Sequence, residues 1–113
     1  DIMRENDIND ISKVGLYGLT YKEDVDDTRE SPTLQLLQRM DEHLAFGVKV
    51  YDPFIKTRIV EHQFMNFEDF INEIEILVIM VGHGHIKENM ELVKDKLILD
   101  TKNICNFENV YKL

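Results

Sequence analysis

The chain has 113 residues, 43% of them hydrophobic and 31% charged, which fits one globular domain with a modest core. Its net charge of −9 argues against nucleic acid or an anionic membrane as a partner, since both attract cationic surfaces. A single cysteine, Cys105, excludes an internal disulfide and fits a reducing cytoplasm. No apolar run reaches the roughly 20 residues of a membrane span.

The first predicted elements are a lead-in, a strand and a loop that ends in a helix start. Residues 1–12 are polar without a clear period and predict a linker, and Asp1 in place of Met suggests a piece of a longer protein. The apolar, glycine-containing residues 13–19 predict a buried strand that runs into a tight turn. Ser31 is typical of a helix N-cap, and Pro32 of a first helical residue whose missing N–H costs nothing.

The helix that follows is amphipathic and leads into a second strand. Gly47 is well placed to end the helix in a left-handed turn. Residues 48–54 predict a strand that stops at Asp52 and Pro53. The apolar stripe of the helix consists of Leu34, Leu37, Met40 and Leu44.

The second half of the chain also alternates between predicted strands and helices. Residues 57–67 predict a short helical turn and then a short strand. The most hydrophobic run is continuous, as expected for a strand covered on both faces. We expect helices over 67–74 and 86–95, that hydrophobic strand over 76–81, and further strands over 96–101 and 109–113.

This alternation predicts an α/β fold, a Rossmann-like three-layer parallel sheet of five or six strands with helices on both faces. In such sheets ligands bind at the carboxyl ends of the strands, near the point where the strand order reverses. The loops expected at that edge are 18–31, 52–56, 82–85 and 100–105.

The loop over 18–31 holds two spaced cations next to a helix N-terminus. Lys22 and Arg29 stand where backbone N–H groups and the helix dipole favour an anion. Gly15 and Gly18 form only G-x-x-G, which falls short of the dinucleotide fingerprint G-x-G-x-x-G. The plainer alternative is that both cations are solvated and form surface ion pairs, which are common. Their candidate partners are Asp24, Asp26, Asp27 and Glu30.

The loop after the strand over 96–101 offers a third cation. Lys102 could meet the same anion across the cleft, and Asp100 and Thr101 could fix the loop. On the pattern alone, an ordinary strand-end cation is the better interpretation.

No metal site is predicted. His83 and His85 form one H-x-H pair, but a zinc site needs three or four ligands and nothing places Cys105 nearby. The spacing of Asp24 to Asp27 does not match a calcium loop. His83 could still border the ligand cleft, and Cys105 has no cationic neighbourhood in sequence to make it a nucleophile.

The residues G-L-T-Y-K, an acidic spacer and D-T-R-E-S-P, at 18–32, resemble the opening motif of the C-terminal, UDP-binding domain of the UDP-glucose/GDP-mannose dehydrogenase family. The segments at 50–53, 76–83 and 97–103 are similar to its later strands and their polar ends. The resemblance covers residues 13–113, nearly the whole chain.

The resemblance implies a four-electron oxidation of a nucleotide sugar's C6 alcohol to a carboxylate, with NAD as the cofactor. In that family the catalytic cysteine and the NAD fingerprint belong to the first two domains. This chain therefore resembles the third domain alone, with no catalytic residue of its own, and we expect it to be inactive without the rest of the enzyme. The implied parent is cytoplasmic and a homodimer or larger assembly, with no nucleic acid or membrane partner.

By matched position, the resemblance assigns Tyr21, Lys22 and Lys102 to UDP-sugar binding. It assigns Arg29 to contact with NAD when the domain closes. Many members carry arginine at the position of Lys102, so the bidentate contact of a guanidinium is lost here. The residues expected to shape the two loops are Asp27, Ser31, Asp100, Thr101 and Asn103.

The substrate implied by the T-R-E-S-P and D-T-K-N segments is UDP-N-acetylmannosamine, used in surface polysaccharide synthesis. The alternatives are a UDP-glucose 6-dehydrogenase domain and a stand-alone nucleotide-binding module without a catalytic partner. A structural oligomerisation domain, which would bind no nucleotide, is the plainest alternative.

Overall fold

The computed structural model describes residues 13–20, 24–29, 31–42, 47–101 and 110–112. Within them, six strands form one sheet in which every neighbouring pair is parallel, in the order β3-β2-β1-β4-β5-β6. The predicted parallel sheet of five or six strands is thus confirmed. The strands are β1 (Val14–Tyr17), β2 (Lys49–Tyr51), β3 (Gln63–Phe64), β4 (Ile76–Ile79), β5 (Leu97–Asp100) and β6 (Val110–Lys112).

Helices cover both faces of the sheet. Alternate strand residues point to opposite sides, so that Leu16 belongs to one apolar cluster and Tyr17 to the other. The Leu16 cluster packs against α1, and the Tyr17 cluster packs against the other three helices. These helices are α1 (Pro32–Glu42), α2 (Phe67–Asn72), α3 (Gly84–Glu88) and α4 (Met90–Val93). Among the described residues, no helix combines the length and the hydropathy needed to cross a membrane.

Gly15 lets α2 approach the centre of β1. A Cβ atom at this position would lie 2.7 Å from Cζ of Phe70 and 2.8 Å from Cδ1 of Ile74. Both side chains are buried in the Tyr17 cluster. The first glycine of the G-x-x-G segment therefore serves helix packing.

The start of α1 agrees with the sequence prediction. The hydroxyl of Ser31 accepts a hydrogen bond from the N–H of Leu34 at 3.3 Å, and the helix begins at Pro32. Gly47 adopts a φ of 97°, the left-handed conformation expected of it. Leu34, Leu37 and Met40 pack against the core, whereas Leu44 lies outside the described residues.

The predicted helical turn early in residues 57–67 is wrong, although the short strand β3 is present. The side chain of the buried Gln63 explains the difference. Its carbonyl oxygen accepts from the N–H groups of Ile59 and Val60, and its amide donates to the carbonyl of Thr57. These backbone groups are satisfied by a side chain, so the segment needs no helix.

The single helix predicted over 86–95 is also wrong, because two short helices occupy this region. α3 begins earlier, at Gly84, and α4 ends at Val93. Asn89 separates them, and its side-chain amide donates to the carbonyl of His85 at 2.7 Å. Asparagine commonly competes with the helix backbone in this way. Both short helices still contribute to the core, since Ile86 and Val93 are buried.

Candidate functional site

The strand order reverses between β1 and β4. The chain runs from β1 to β2 on one side of β1 and returns to β4 on its other side. The carboxyl ends of these two strands are where ligands bind in open parallel sheets. The loops that follow β1 and β4, beginning at Gly18 and Met80, border this point.

A buried hydrogen bond bridges the ends of β2 and β4. Nε2 of His83 lies 2.9 Å from Oδ2 of Asp52, and neither side chain is exposed. Asp52 also accepts the N–H of Leu19 at 2.7 Å and the N–H of Phe54 at 2.7 Å. The carboxylate thus fixes the first residues after both β1 and β2.

The loop after β1 is tied to the loop after β4 in both directions. The N–H of Asp24 donates to Nδ1 of His83 at 2.8 Å, and the N–H of Gly84 donates to Oδ1 of Asp24 at 2.7 Å. Asp24 has a φ of 60°, in the left-handed region that few residues other than glycine adopt. The hydroxyl of Thr20 lies 3.3 Å from Nε2 of the same histidine.

Gly18 allows the sharp departure of the chain from β1. Its φ is 107°, and its N–H donates to the carbonyl of Tyr51 at 2.8 Å. Its carbonyl accepts the hydroxyl of Thr33 at 2.6 Å, which joins the turn to α1. The second glycine of G-x-x-G is therefore needed for its backbone conformation.

A second histidine contact lies on the α3 side of the sheet. The hydroxyl of Tyr17 lies 2.8 Å from Nδ1 of His85, and the two rings are stacked with centroids 5.9 Å apart. Burial raises the pKa of Tyr17 well above its usual range, so the phenol stays protonated. Burial also lowers the pKa of His85. Tyr17 is therefore suited to donate to a neutral His85.

Arg29 and Asp27 form an ion pair at the surface of the loop. The guanidinium contacts the carboxylate through Nη2 at 2.8 Å and Nε at 3.0 Å, and this contact raises the pKa of Arg29. The side chain of Arg29 is 88% exposed. A surface ion pair with Asp27 is one of the alternatives to anion binding that the sequence predicted for Arg29. Asp27 thus lies in the loop as the partner of this cation.

The remaining predicted residues are distributed as follows. Ser31 caps α1, and Asp100 is buried at the end of β5. Thr101 donates from both its N–H and its hydroxyl to the carbonyl of Ile79, which joins the ends of β5 and β4. Four predicted site residues, Tyr21, Lys22, Lys102 and Asn103, lie outside the described residues, as do Cys105 and residues 1–12.

Sequence reasoning missed the polar network in which the buried Thr20, Asp52 and His83 contact one another and the N–H of the exposed Asp24. Asp52 was expected only to stop a strand, and His83 only to border a cleft. The signal available in the sequence was a polar residue shortly after each of two apolar strands, Asp52 after β2 and His83 after β4, which end at the same edge of the sheet. In the part of the chain that the structure describes, no three His, Cys, Asp or Glu side chains group as metal ligands.

Comparisons with known proteins agree with the fold. Residues 15–107 match the UDP-binding domain of the UDP-glucose/GDP-mannose dehydrogenase family. The UDP-N-acetyl-D-mannosamine dehydrogenase of Methanocaldococcus jannaschii is 37% identical over 107 residues, covering 88% of this chain and 24% of that protein. Its counterpart in Methanococcus vannielii is 35% identical over 108 residues, with the same coverage of 88% and 24%.

A solved structure shows the same fold. The UDP-N-acetyl-mannosamine dehydrogenase of Staphylococcus aureus superimposes with a TM-score of 0.74 at 28% sequence identity, covering 99% of this chain and 29% of that one. The chain thus spans about a quarter of the length of the curated relatives it matches, at 24% for both archaeal proteins.

Proposed function

Because this chain belongs to the UDP-glucose/GDP-mannose dehydrogenase family, as its UDP-binding domain, we propose that it forms one side of the substrate cleft in a larger dehydrogenase. The parent enzyme oxidises the C6 alcohol of a UDP-sugar to a carboxylate with NAD. Relatives that are four times longer support this, since the chain covers only 24% of the first of them.

The observation that carries the proposal is the position of the loops after β1 and β5. In the sheet these strands lie on either side of β4, so both loops leave the carboxyl edge beside the point where the strand order reverses. Tyr21 and Lys22 belong to the first loop, and Lys102 follows Thr101 at the start of the second. We assign these three residues to UDP-sugar, with the two cations neutralising the diphosphate.

NAD contacts this domain only at its edge in our proposal. Gly15 packs against Phe70, so this glycine is occupied by helix packing and not by a phosphate. Arg29 is 88% exposed on the loop and suits an anionic group presented by another domain. The remaining domains of the parent supply the NAD fingerprint and the catalytic cysteine, and NAD supplies the hydride acceptor.

UDP-N-acetylmannosamine is the substrate we propose, because the archaeal relatives and the staphylococcal structure carry that name. UDP-glucose is the alternative within the family. Sugar selection depends mostly on groups outside this chain, so the parent enzyme must be assayed with both.

The test uses the full-length parent enzyme and three variants of this domain. Lys102→Ala should raise the KM for UDP-sugar about tenfold by removing one phosphate contact, while Lys102→Arg keeps the charge and should stay close to wild type. Lys94→Ala is the matched control, because Lys94 is an exposed cation that pairs with Glu91 on α4. Equal KM values for Lys102→Ala and Lys94→Ala would refute the role of the second loop.

Calorimetric titration of this chain with UDP and with NAD distinguishes the proposed function from a stand-alone nucleotide-binding module. We expect weak or undetectable binding of UDP, because half of the cleft belongs to other domains, and no binding of NAD. Tight NAD binding by this chain would contradict the assignment and favour a stand-alone nucleotide-binding module.

A further inference from the structure

Residues 21–23 connect two positions that contact the same imidazole ring. The hydroxyl of Thr20 lies 3.3 Å from Nε2 of His83, and the N–H of Asp24 donates to its Nδ1 at 2.8 Å. The three residues between them include Tyr21 and Lys22, which the proposed function assigns to UDP-sugar. One buried side chain therefore holds both ends of the segment that carries the two binding residues.

The hydrogen bonds fix the protonation and orientation of the ring. A backbone N–H can only donate, so Nδ1 of His83 carries no proton in its bond with Asp24. The proton is on Nε2, which donates to Oδ2 of Asp52 at 2.9 Å. Flipping the ring would place carbon atoms opposite both partners and leave buried polar groups unpaired, which is costly.

Asp24 completes the connection from the loop side. Its carboxylate accepts the N–H of Gly84, the residue after His83, at 2.7 Å. Its φ of 60° is a conformation that costs free energy for a residue with a side chain, although aspartate tolerates it better than most. Such a conformation persists when the surroundings specify it, and here the two bonds to His83 and Gly84 do so.

We propose that His83 is a positioning residue of the nucleotide-sugar site, which fixes Thr20 and Asp24 on either side of the segment that contains Tyr21 and Lys22. The inference rests on the proposed function. His83 is fully buried, so it acts through the loop and not by contact with the substrate. If His83 only filled space in the core, an apolar ring would be enough. Instead, its Nε2 contacts Thr20 and its Nδ1 accepts from Asp24, the two ends of one short segment.

Two variants of the full-length parent enzyme test the hydrogen bonds of the two ring nitrogens one at a time. In His83→Asn the side-chain oxygen can replace Nδ1 as the acceptor for Asp24, and the donor to Asp52 is lost. In His83→Gln the amide can replace Nε2 as the donor to Asp52, and the acceptor for Asp24 is lost. His62→Asn is the control, since His62 is exposed and asparagine tolerates its φ of 58°.

We expect His83→Gln to raise the KM for UDP-sugar about tenfold with kcat within about twofold, because the loop is released before chemistry begins. His83→Asn keeps an acceptor for Asp24 but loses the Nε2 contact with Thr20, so its KM should rise less than that of His83→Gln, and His62→Asn should match wild type. An unchanged KM in His83→Gln, or equal losses in both His83 variants, would overturn the proposal.

Nuclear magnetic resonance on the wild-type chain gives a second test that needs no variant. We expect the nitrogen shifts of His83 to show an unprotonated Nδ1 and a protonated Nε2, and the amide of Asp24 to exchange slowly with solvent. A protonated Nδ1, or fast exchange at Asp24, would overturn the positioning role whatever the enzyme assay shows. A parent enzyme that oxidises no nucleotide sugar would instead refute the proposed function.

Discussion

Nε2 of His83 lies 2.9 Å from Oδ2 of Asp52, and this buried contact joins the ends of two strands that are not neighbours in the sheet. β1 lies between β2 and β4, so the contact passes across the carboxyl end of β1. Asp52 also binds the N–H of Leu19, and His83 binds that of Asp24, so the chain leaving β1 is held from both sides.

Replacing Asp52 by asparagine should lower the free energy of unfolding by about 2 kcal/mol, because an amide group would face a buried N–H donor. Three donors, from Leu19, Phe54 and His83, converge on the native carboxylate. Urea denaturation measures the effect. Asp95→Asn, at an exposed position, is the control and should leave the urea midpoint in place. Equal midpoints for the two variants would contradict the network.

Gly15→Ala should destabilise the chain by about 1–3 kcal/mol, since the added methyl group would lie 2.7 Å from Cζ of Phe70. Phe70→Leu removes the ring atoms that cause this overlap. The same glycine substitution should therefore cost less in a Phe70→Leu background, as measured by a double-mutant cycle in urea. Additive costs would show that β1 and α2 are not in the contact described.

The stability of the chain should fall as the pH drops below 6.5, in part because of His85. Burial lowers the pKa of His85 from its ordinary value of 6.5, so the unfolded chain binds the proton more readily than the folded one. The unfolding free energy therefore decreases with falling pH from 6.5 down to the lowered pKa of His85.

Unfolding free energies of wild type and His85→Gln at pH 7.5 and 5.5 check this expectation. The variant should lose less stability between the two values than wild type does. His62→Asn, at an exposed site, should follow wild type. A pH dependence that is the same in His85→Gln and wild type would show that His85 does not contribute to it.

Asp27→Asn should leave the stability of the chain unchanged, because the pair with Arg29 is exposed and such pairs contribute little.

In the parent enzyme, we expect Arg29→Ala to raise the KM for NAD and to leave the KM for UDP-sugar near wild type. Initial-rate kinetics with each substrate varied in turn distinguishes the two effects. A change confined to UDP-sugar would reassign Arg29 to the other ligand.

Local signals predicted several elements correctly. Ser31 and Pro32 mark the start of α1 because capping and the missing proline N–H act within one turn of a helix. The continuous apolar run at 76–81 predicted a strand buried on both faces, and β4 contributes to both apolar clusters. The break between α3 and α4 was missed because periodicity does not show that Asn89 binds the carbonyl of His85.

The sequence by itself determined the fold class, the family resemblance and the edge of the sheet at which we propose that a ligand binds, because hydrophobic periodicity and turn residues act over short distances. Only the tertiary structure decided which groups His83 binds. Its partners Asp52 and Asp24 are 31 and 59 residues away along the chain, and no local pattern pairs them. Parallel strands bring these residues to one edge, where burial makes each unpaired polar group costly and so selects the arrangement in which all of them are bound.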